Sequence, residues 1–167
     1  MLVALRSPLR FQNPKLFREE ELAFLEKRFT PRTVFMEIGA ASCTFALRAA
    51  SYVERVYAVD VSGHFLQTVA PPSNLRLVLC DGVRIPVPEA LVDLAWSGAF
   101  MDHLHADDAG AHLQSVRRSL VPGGEYMFTT QQAPSQVRRR LFGAGFSVVR
   151  IALLSRVLKP LRVTAVK

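Results

Sequence analysis

The chain has 167 residues, the size of one domain, so any site is expected within a single core and a separate substrate domain is not. Half of the residues are hydrophobic and 21% are charged, a balance that buries a sizeable core and argues against disorder. The formal charge of +7 would favour an anionic partner if it were spread evenly, but eight cations and no anion follow Glu125. The remainder carries 13 cations against 14 anions, a net of −1, so the excess belongs to the C-terminal quarter. A localised anionic partner such as nucleic acid is one reading of that asymmetry; cations guarding exposed terminal strands are the plainer one. Cys43 and Cys80 form no CxxC pair, and no apolar run approaches the ~18 residues of a membrane span. Met1–Arg10 is too short in its apolar part for a secretory signal, so a reducing cytoplasm is the expected location.

The elements are predicted in chain order as follows. Asn13-Pro14 starts a helix running to about Phe29, with apolar residues at helical spacing. Thr33–Ile38 reads as a buried strand meeting a turn at Gly39, followed by a helix over Thr44–Ala50. Val56–Asp60 is a second buried strand, Gly63–Val69 is helical in pattern, and Leu75–Cys80 is a third strand. After a Pro-punctuated loop come a strand at Leu91–Ser97 and a helix at Ala106–Leu120. Pro122-Gly123-Gly124 reads as a turn, Glu125–Thr130 as a strand and Ser135–Phe142 as a helix. Phe146–Leu153 and Leu161–Val166 close the chain with no helix between them, so one of the two returns antiparallel. The alternation predicts an α/β, doubly wound, mostly parallel sheet with helices on both faces, built as one domain over residues 1–167: a helical segment at 1–30 and a core at 31–167.

In such a sheet, ligands bind beyond the carboxyl ends of the strands where the strand order reverses. Glycine at 39 permits a sharp turn and close backbone approach, and the helix starting near Thr44 directs free N–H groups at a ligand. Asp60 ends the second strand about 20 residues on, the placement of an acid that accepts from ribose hydroxyls. Asp81 follows the third strand. Each acid alone reads equally as a cap or turn residue. Together, Glu37, Asp60 and Asp81 repel a pyrophosphate and suit a ligand with a ribose, an amino group and a positive centre, such as S-adenosylmethionine.

At this point the sequence resembles the class I S-adenosylmethionine-dependent methyltransferases of the small, stand-alone kind, over about Val34 to Val166. Val34–Gly39 resembles the family's first motif, Val56–Ser62 its second, and Leu79–Gly82 its adenine-contacting segment. Gly98–Leu104 is similar to the loop toward donor and acceptor, Leu120–Gly124 to the "LkPGG" turn, and Gly143–Phe146 to the late "aGF". The resemblance implies a seven-stranded sheet with the last inserted strand antiparallel. It implies that Glu37 meets the methionine amino group, Asp60 the ribose and Asp81 the adenine amine, with Gly39, Ala40 and Ala41 lining the donor and Val61 and Gly82 flanking the adenine. Ser97 and Phe100 would shape the site, and His103 is the candidate base if the acceptor must lose a proton. The product would be S-adenosylhomocysteine.

The glycine loop departs from the family's acid-x-Gly-x-Gly-x-Gly pattern, because Ala41 and Cys43 stand at the second and third glycine places. Ala is tolerated there if φ stays negative; Cys adds bulk near the helix start. Cys43 reads as a packed thiol, with a reactive one as the alternative. No long insertion follows the fifth strand, so the acceptor site is expected to be open and shallow, suiting either a small molecule brought by a partner or a large substrate whose bulk supplies the missing walls; a small-molecule acceptor is the leading reading. A non-catalytic or partner-dependent member of the fold, an RNA-modifying enzyme using Arg138–Arg140 with Lys159, and an NAD-dependent oxidoreductase are the rivals. The last lacks GxGxxG. His103, His105, Asp107 and Asp108 are close in sequence, but acidic capping of a helix start explains the two aspartates without a metal. The sequence leaves oligomeric state open.

Overall fold

A computed structural model of the protein describes residues 14–64, 70–153 and 161–167. Helix α1 (Pro14–Glu26) precedes β1 (Val34–Ile38), α2 (Thr44–Ala49), β2 (Arg55–Asp60), β3 (Leu75–Leu79) and β4 (Val92–Gly98). A 3-10 turn (Phe100–Asp102), α3 (Asp108–Ser119), β5 (Leu120–Thr130), α4 (Pro134–Gly143), β6 (Val148–Leu153) and β7 (Leu161–Val166) complete it. The seven strands form one sheet in the order β3-β2-β1-β4-β5-β7-β6. The first five are mutually parallel, and β7 slots between β5 and β6 antiparallel to both, the inserted antiparallel strand that the resemblance implied. All five residues of β1 are buried, which is why it reads as an apolar run broken only by Glu37.

The sheet carries an apolar layer on each face. One includes Leu113, Val116, Leu141 and Phe146 beneath α3 and α4; the other includes Leu22, Leu25, Phe45 and Ala46 beneath α1 and α2. Helix α1 stops three residues short of the expected Phe29, where tight turns bond Arg28 to Leu25 and Phe29 to Glu26. It is clamped to the sheet by charge. Arg162 on β7 donates to both carboxylate oxygens of the buried Glu21, one at 3.0 Å, and lies 3.8 Å over the Phe24 ring. Arg28 pairs with Glu125 at 3.1 Å and covers the same ring at 4.7 Å. Removing either partner of the Glu21–Arg162 pair would strand a buried charge, a loss of about 3–5 kcal/mol. Because Arg162 stands opposite Thr129 and Glu125 opposite Val166, α1 runs antiparallel to β5 and starts near the edge where β5 ends. Arg162 is thus an internal clamp on an interior strand, a correction to its reading as a terminal surface cation. Arg150, exposed on the edge strand β6, fits the edge-guarding reading.

The Pro122-Gly123-Gly124 turn is also corrected: these residues lie inside β5, as a bulge. Leu120 already pairs with Val92, and the register shifts between Val92 and Leu94. The end of β7 holds the bulge, with Gly123 N–H donating to the Lys167 carbonyl and Lys167 N–H to that of Gly124. Of the predicted helix at Gly63–Val69, Gly63 and His64 are helical; residues 65–69 lie outside the described residues.

Candidate functional site

Strand order reverses between β1 and β4, and a cavity of about 210 Å³ opens at their carboxyl ends. Its walls come from the loop after β1, including Gly39, Ala40, Ala41 and Ser42, and from Gly98 at the end of β4 and Ala99 after it. Glu37, Phe45, Trp96 and Thr129 also line it, the two rings stacked with centroids 5.9 Å apart. The loop turns on three residues with positive φ: Gly39 at 73°, Ala41 at 43° and Cys43 at 55°. The negative φ under which alanine is easily tolerated is therefore not what Ala41 adopts. The chain takes the left-handed conformation at both missing-glycine positions, at a cost of roughly 1–2 kcal/mol each. Nor does Cys43 crowd the cavity, because its side chain is fully buried in the α1/α2 layer. Burial, with Glu37 and Asp60 nearby, pushes its thiol up to about 11, so it is a packed thiol and not a reactive one.

The three acids hold this edge together. Glu37, buried at the end of β1, accepts the Ala46 N–H at 2.8 Å and so caps the third residue of α2. Asp60, 7% exposed, accepts Ala41 N–H at 2.7 Å on one oxygen and Ser62 N–H at 2.8 Å on the other. It thereby ties the loop after β1 to the end of β2 and supports the strained Ala41. Asp81 is exposed and accepts from Val83 and Arg84 N–H groups at 2.9 and 2.6 Å through Oδ1, bonds that hold its pKa below the usual carboxylate value. The capping and ligand readings of these acids are compatible, since an ionised carboxylate offers about four acceptor sites.

Ala99, with φ 56°, also lines a second cavity of about 350 Å³ with Asp102, His103, Gln131 and Gln132. His103 is exposed there. Asp102, which the sequence did not single out, accepts from the Thr130 hydroxyl and, at 3.0 Å, from Gln131 N–H. Gln132 donates to the Met101 carbonyl at 2.8 Å and accepts from Arg140 at 2.7 Å. Asp107 sits at the N-cap of α3 without a side-chain cap bond and pairs instead with His105 at 3.4 Å; Asp108 lies in the first turn.

Ser97 does not reach either cavity. Its hydroxyl is fully buried and bonded to Tyr126 Oη at 2.8 Å, because its place on β4 turns it toward the α3/α4 face. Phe100 packs outside the first cavity's lining, against Gly39, where an added Cβ would lie 3.0 Å from its Cδ2. Val61 is exposed, and its Cγ1 would stand 3.4 Å from a Cβ on Gly82. A residue that sequence reasoning missed, His112 on α3, is fully buried and bonded through Nδ1 to the Gly82 carbonyl at 3.0 Å. Burial depresses its pKa to about 4, so it is neutral at pH 7. Its only sequence signal is its place on a helix face shared with Ala109, Leu113 and Val116.

Several basic residues of the C-terminal quarter are bonded internally. Arg138 donates to the Val149 carbonyl, Arg140 to Gln132, Arg162 to Glu21 and Lys167 to the Leu120 carbonyl. Arg156 and Lys159 lie outside the described residues. Among the described residues no helix is long and apolar enough to cross a membrane.

Compared with known proteins, residues 36–128, more than half of the chain, match the family described as "Methyltransferase domain". The chain belongs to that family. Its fold is the class I S-adenosylmethionine-dependent methyltransferase fold, and solved structures with this architecture are numerous. An S-adenosylmethionine-dependent methyltransferase from Mesorhizobium loti superposes with a TM-score of 0.72 at 14% identity, over 83% of this chain and 92% of that one. One from Aquifex aeolicus gives 0.66 at 16%, over 87% and 88%. The 1,6-didemethyltoxoflavin-N1-methyltransferase of Burkholderia thailandensis, solved with 1,6-didemethyltoxoflavin and S-adenosylhomocysteine bound, gives 0.70 at 21%, over 87% and 76%. No curated protein matches the sequence.

Proposed function

We propose that this methyltransferase-domain chain is an active S-adenosylmethionine-dependent methyltransferase acting on a small-molecule acceptor. The observation that carries the reading is the loop after β1. It keeps the left-handed turns of a glycine-rich loop at Ala41 and Cys43, and Asp60 holds its Ala41 N–H. Strain of this kind is retained where a site needs the geometry.

The lining suits the donor. Glu37 and the Phe45 and Trp96 rings favour a ligand with an ammonium and a sulfonium, by charge and by cation–π attraction. When bound, S-adenosylmethionine supplies an electrophilic methyl on its sulfonium. Glu37 holds the amino group, Asp60 accepts from the ribose hydroxyls, and Asp81 accepts from the adenine amine. Val61 and Gly82 flank the base, while Gly39, Ala40 and Ala41 give the backbone surface. Ala99 joins the donor cavity to the second one, so an acceptor held between His103 and Gln131 faces the donor across it. In-line displacement needs mainly this positioning, with His103 taking a proton from acceptors that carry one. The 1,6-didemethyltoxoflavin bound in the Burkholderia thailandensis relative supports a small acceptor. The internal bonding of Arg138, Arg140, Arg162 and Lys167 weighs against nucleic acid.

The test is calorimetric titration with S-adenosylmethionine and S-adenosylhomocysteine, with NAD as control and Asp60→Ala and Asp81→Asn beside the wild type. Binding of both sulfur nucleosides and not NAD, weakened in both variants, is the expected result. Absence of binding at millimolar ligand would leave a non-catalytic or partner-dependent member of the fold.

A further inference from the structure

Five residues make a continuous line of contacts behind the donor cavity. Val61 packs against Gly82, whose φ of 88° leaves it no ordinary side chain; the Gly82 carbonyl accepts from His112; the His112 ring lies 5.0 Å from the Phe100 ring; and Phe100 rests on Gly39. The line begins at Val61 after β2, passes the Gly82 turn after β3 and ends at the turn after β1, and only His112 among its side chains is a buried polar group. His112 holds that place at a cost. A carbonyl can only accept, so Nδ1 carries the hydrogen, and Nε2 is left as a buried acceptor with no partner among the described residues. Phenylalanine would give the ring without the donor, and asparagine the donor without the ring. Histidine gives both.

We propose that His112 is a positioning residue for the donor: its Nδ1–H fixes the Gly82 turn at the nucleoside end, and its ring seats Phe100 against Gly39 at the amino-acid end. The inference rests on the donor reading above and adds a residue that touches neither donor nor acceptor. The Nδ1–H bond to the Gly82 carbonyl selects one tautomer of the neutral ring.

The two functions separate by substitution. His112→Phe keeps the ring and breaks the Gly82 bond; His112→Asn keeps a donor and removes the ring. Dissociation constants for S-adenosylhomocysteine and for 5′-methylthioadenosine, which lacks the amino-acid end, are measured on both variants with their melting temperatures. The expected result is a loss of about tenfold for both ligands in His112→Phe, the size of one good contact. In His112→Asn, 5′-methylthioadenosine should bind within about twofold of wild type while S-adenosylhomocysteine weakens by about fivefold or more. A merely structural histidine would lower the melting temperature and leave the constants of the folded variants unchanged, which would overturn the proposal. Wild-type protein that binds neither ligand would instead overturn the donor reading, and this inference with it.

Discussion

Two segments of the chain need glycine-like backbone, and they meet that need differently. In the bulge of β5, a Cβ on Gly124 would lie 3.0 Å from the carbonyl oxygens of both Val121 and Val92, so a side chain fits only if backbone gives way. At Ala41 and Cys43 in the loop after β1, only the backbone angle is demanding. Ala41 is half-buried beside the cavity, and Cys43 turns into the core, so both have room for side chains that are strained only through φ. A steric requirement keeps its glycine; a conformational one yields to alanine or cysteine if something else holds the turn. Here Asp60 holds it, through Ala41 N–H. Counting glycines in a motif therefore misjudges whether its geometry survives.

The sharpest way to break this contrast is Gly124→Ala. Two backbone oxygens cannot give way cheaply, so a loss of about 3 kcal/mol is expected in the free energy of urea unfolding. A neutral result would show that the bulge rearranges. A comparable effect is expected from acid, through His112. Its folded pKa, about 4, lies below the ordinary 6.5, so the unfolded chain binds the extra proton. Its contribution is then fully present above about pH 6.5 and is lost as pH falls towards 4, on the order of 3 kcal/mol. Unfolding at pH 7 and 4.5 measures it, and His112→Phe should flatten that dependence. Asp60→Ala, which unpairs two backbone N–H groups, should cost about 2 kcal/mol of stability. Its loss of S-adenosylhomocysteine affinity should be larger than that of Asp81→Asn. The smallest effect has the opposite sign: Ala41→Gly relieves φ strain and should stabilise the protein by about 0.5–1 kcal/mol.

Much of the fold was legible because its strands are short apolar runs whose partners follow from alternation, and because two closing runs without a helix between them force an antiparallel strand. What escaped depends on contacts far apart in sequence. Pro122-Gly123-Gly124 has turn composition, yet Lys167 draws it into a bulge. Arg162 reads as a terminal surface cation until Glu21, 141 residues away, is seen beside it. The three acids stood out because each ends a strand. Asp102 and His112 did not, since one lies on a short 3-10 turn and the other sits on a helix face that is otherwise read as core. Ser97, placed by motif position, faces Tyr126 because sheet alternation decides its side.

The most direct test of the account is S-adenosylhomocysteine binding by calorimetry to wild-type protein and Ala41→Gly in parallel. A loop already in its working shape predicts that the wild type binds and that restoring the glycine changes affinity by less than about threefold. Binding that appears only in Ala41→Gly, or in neither protein, would contradict it.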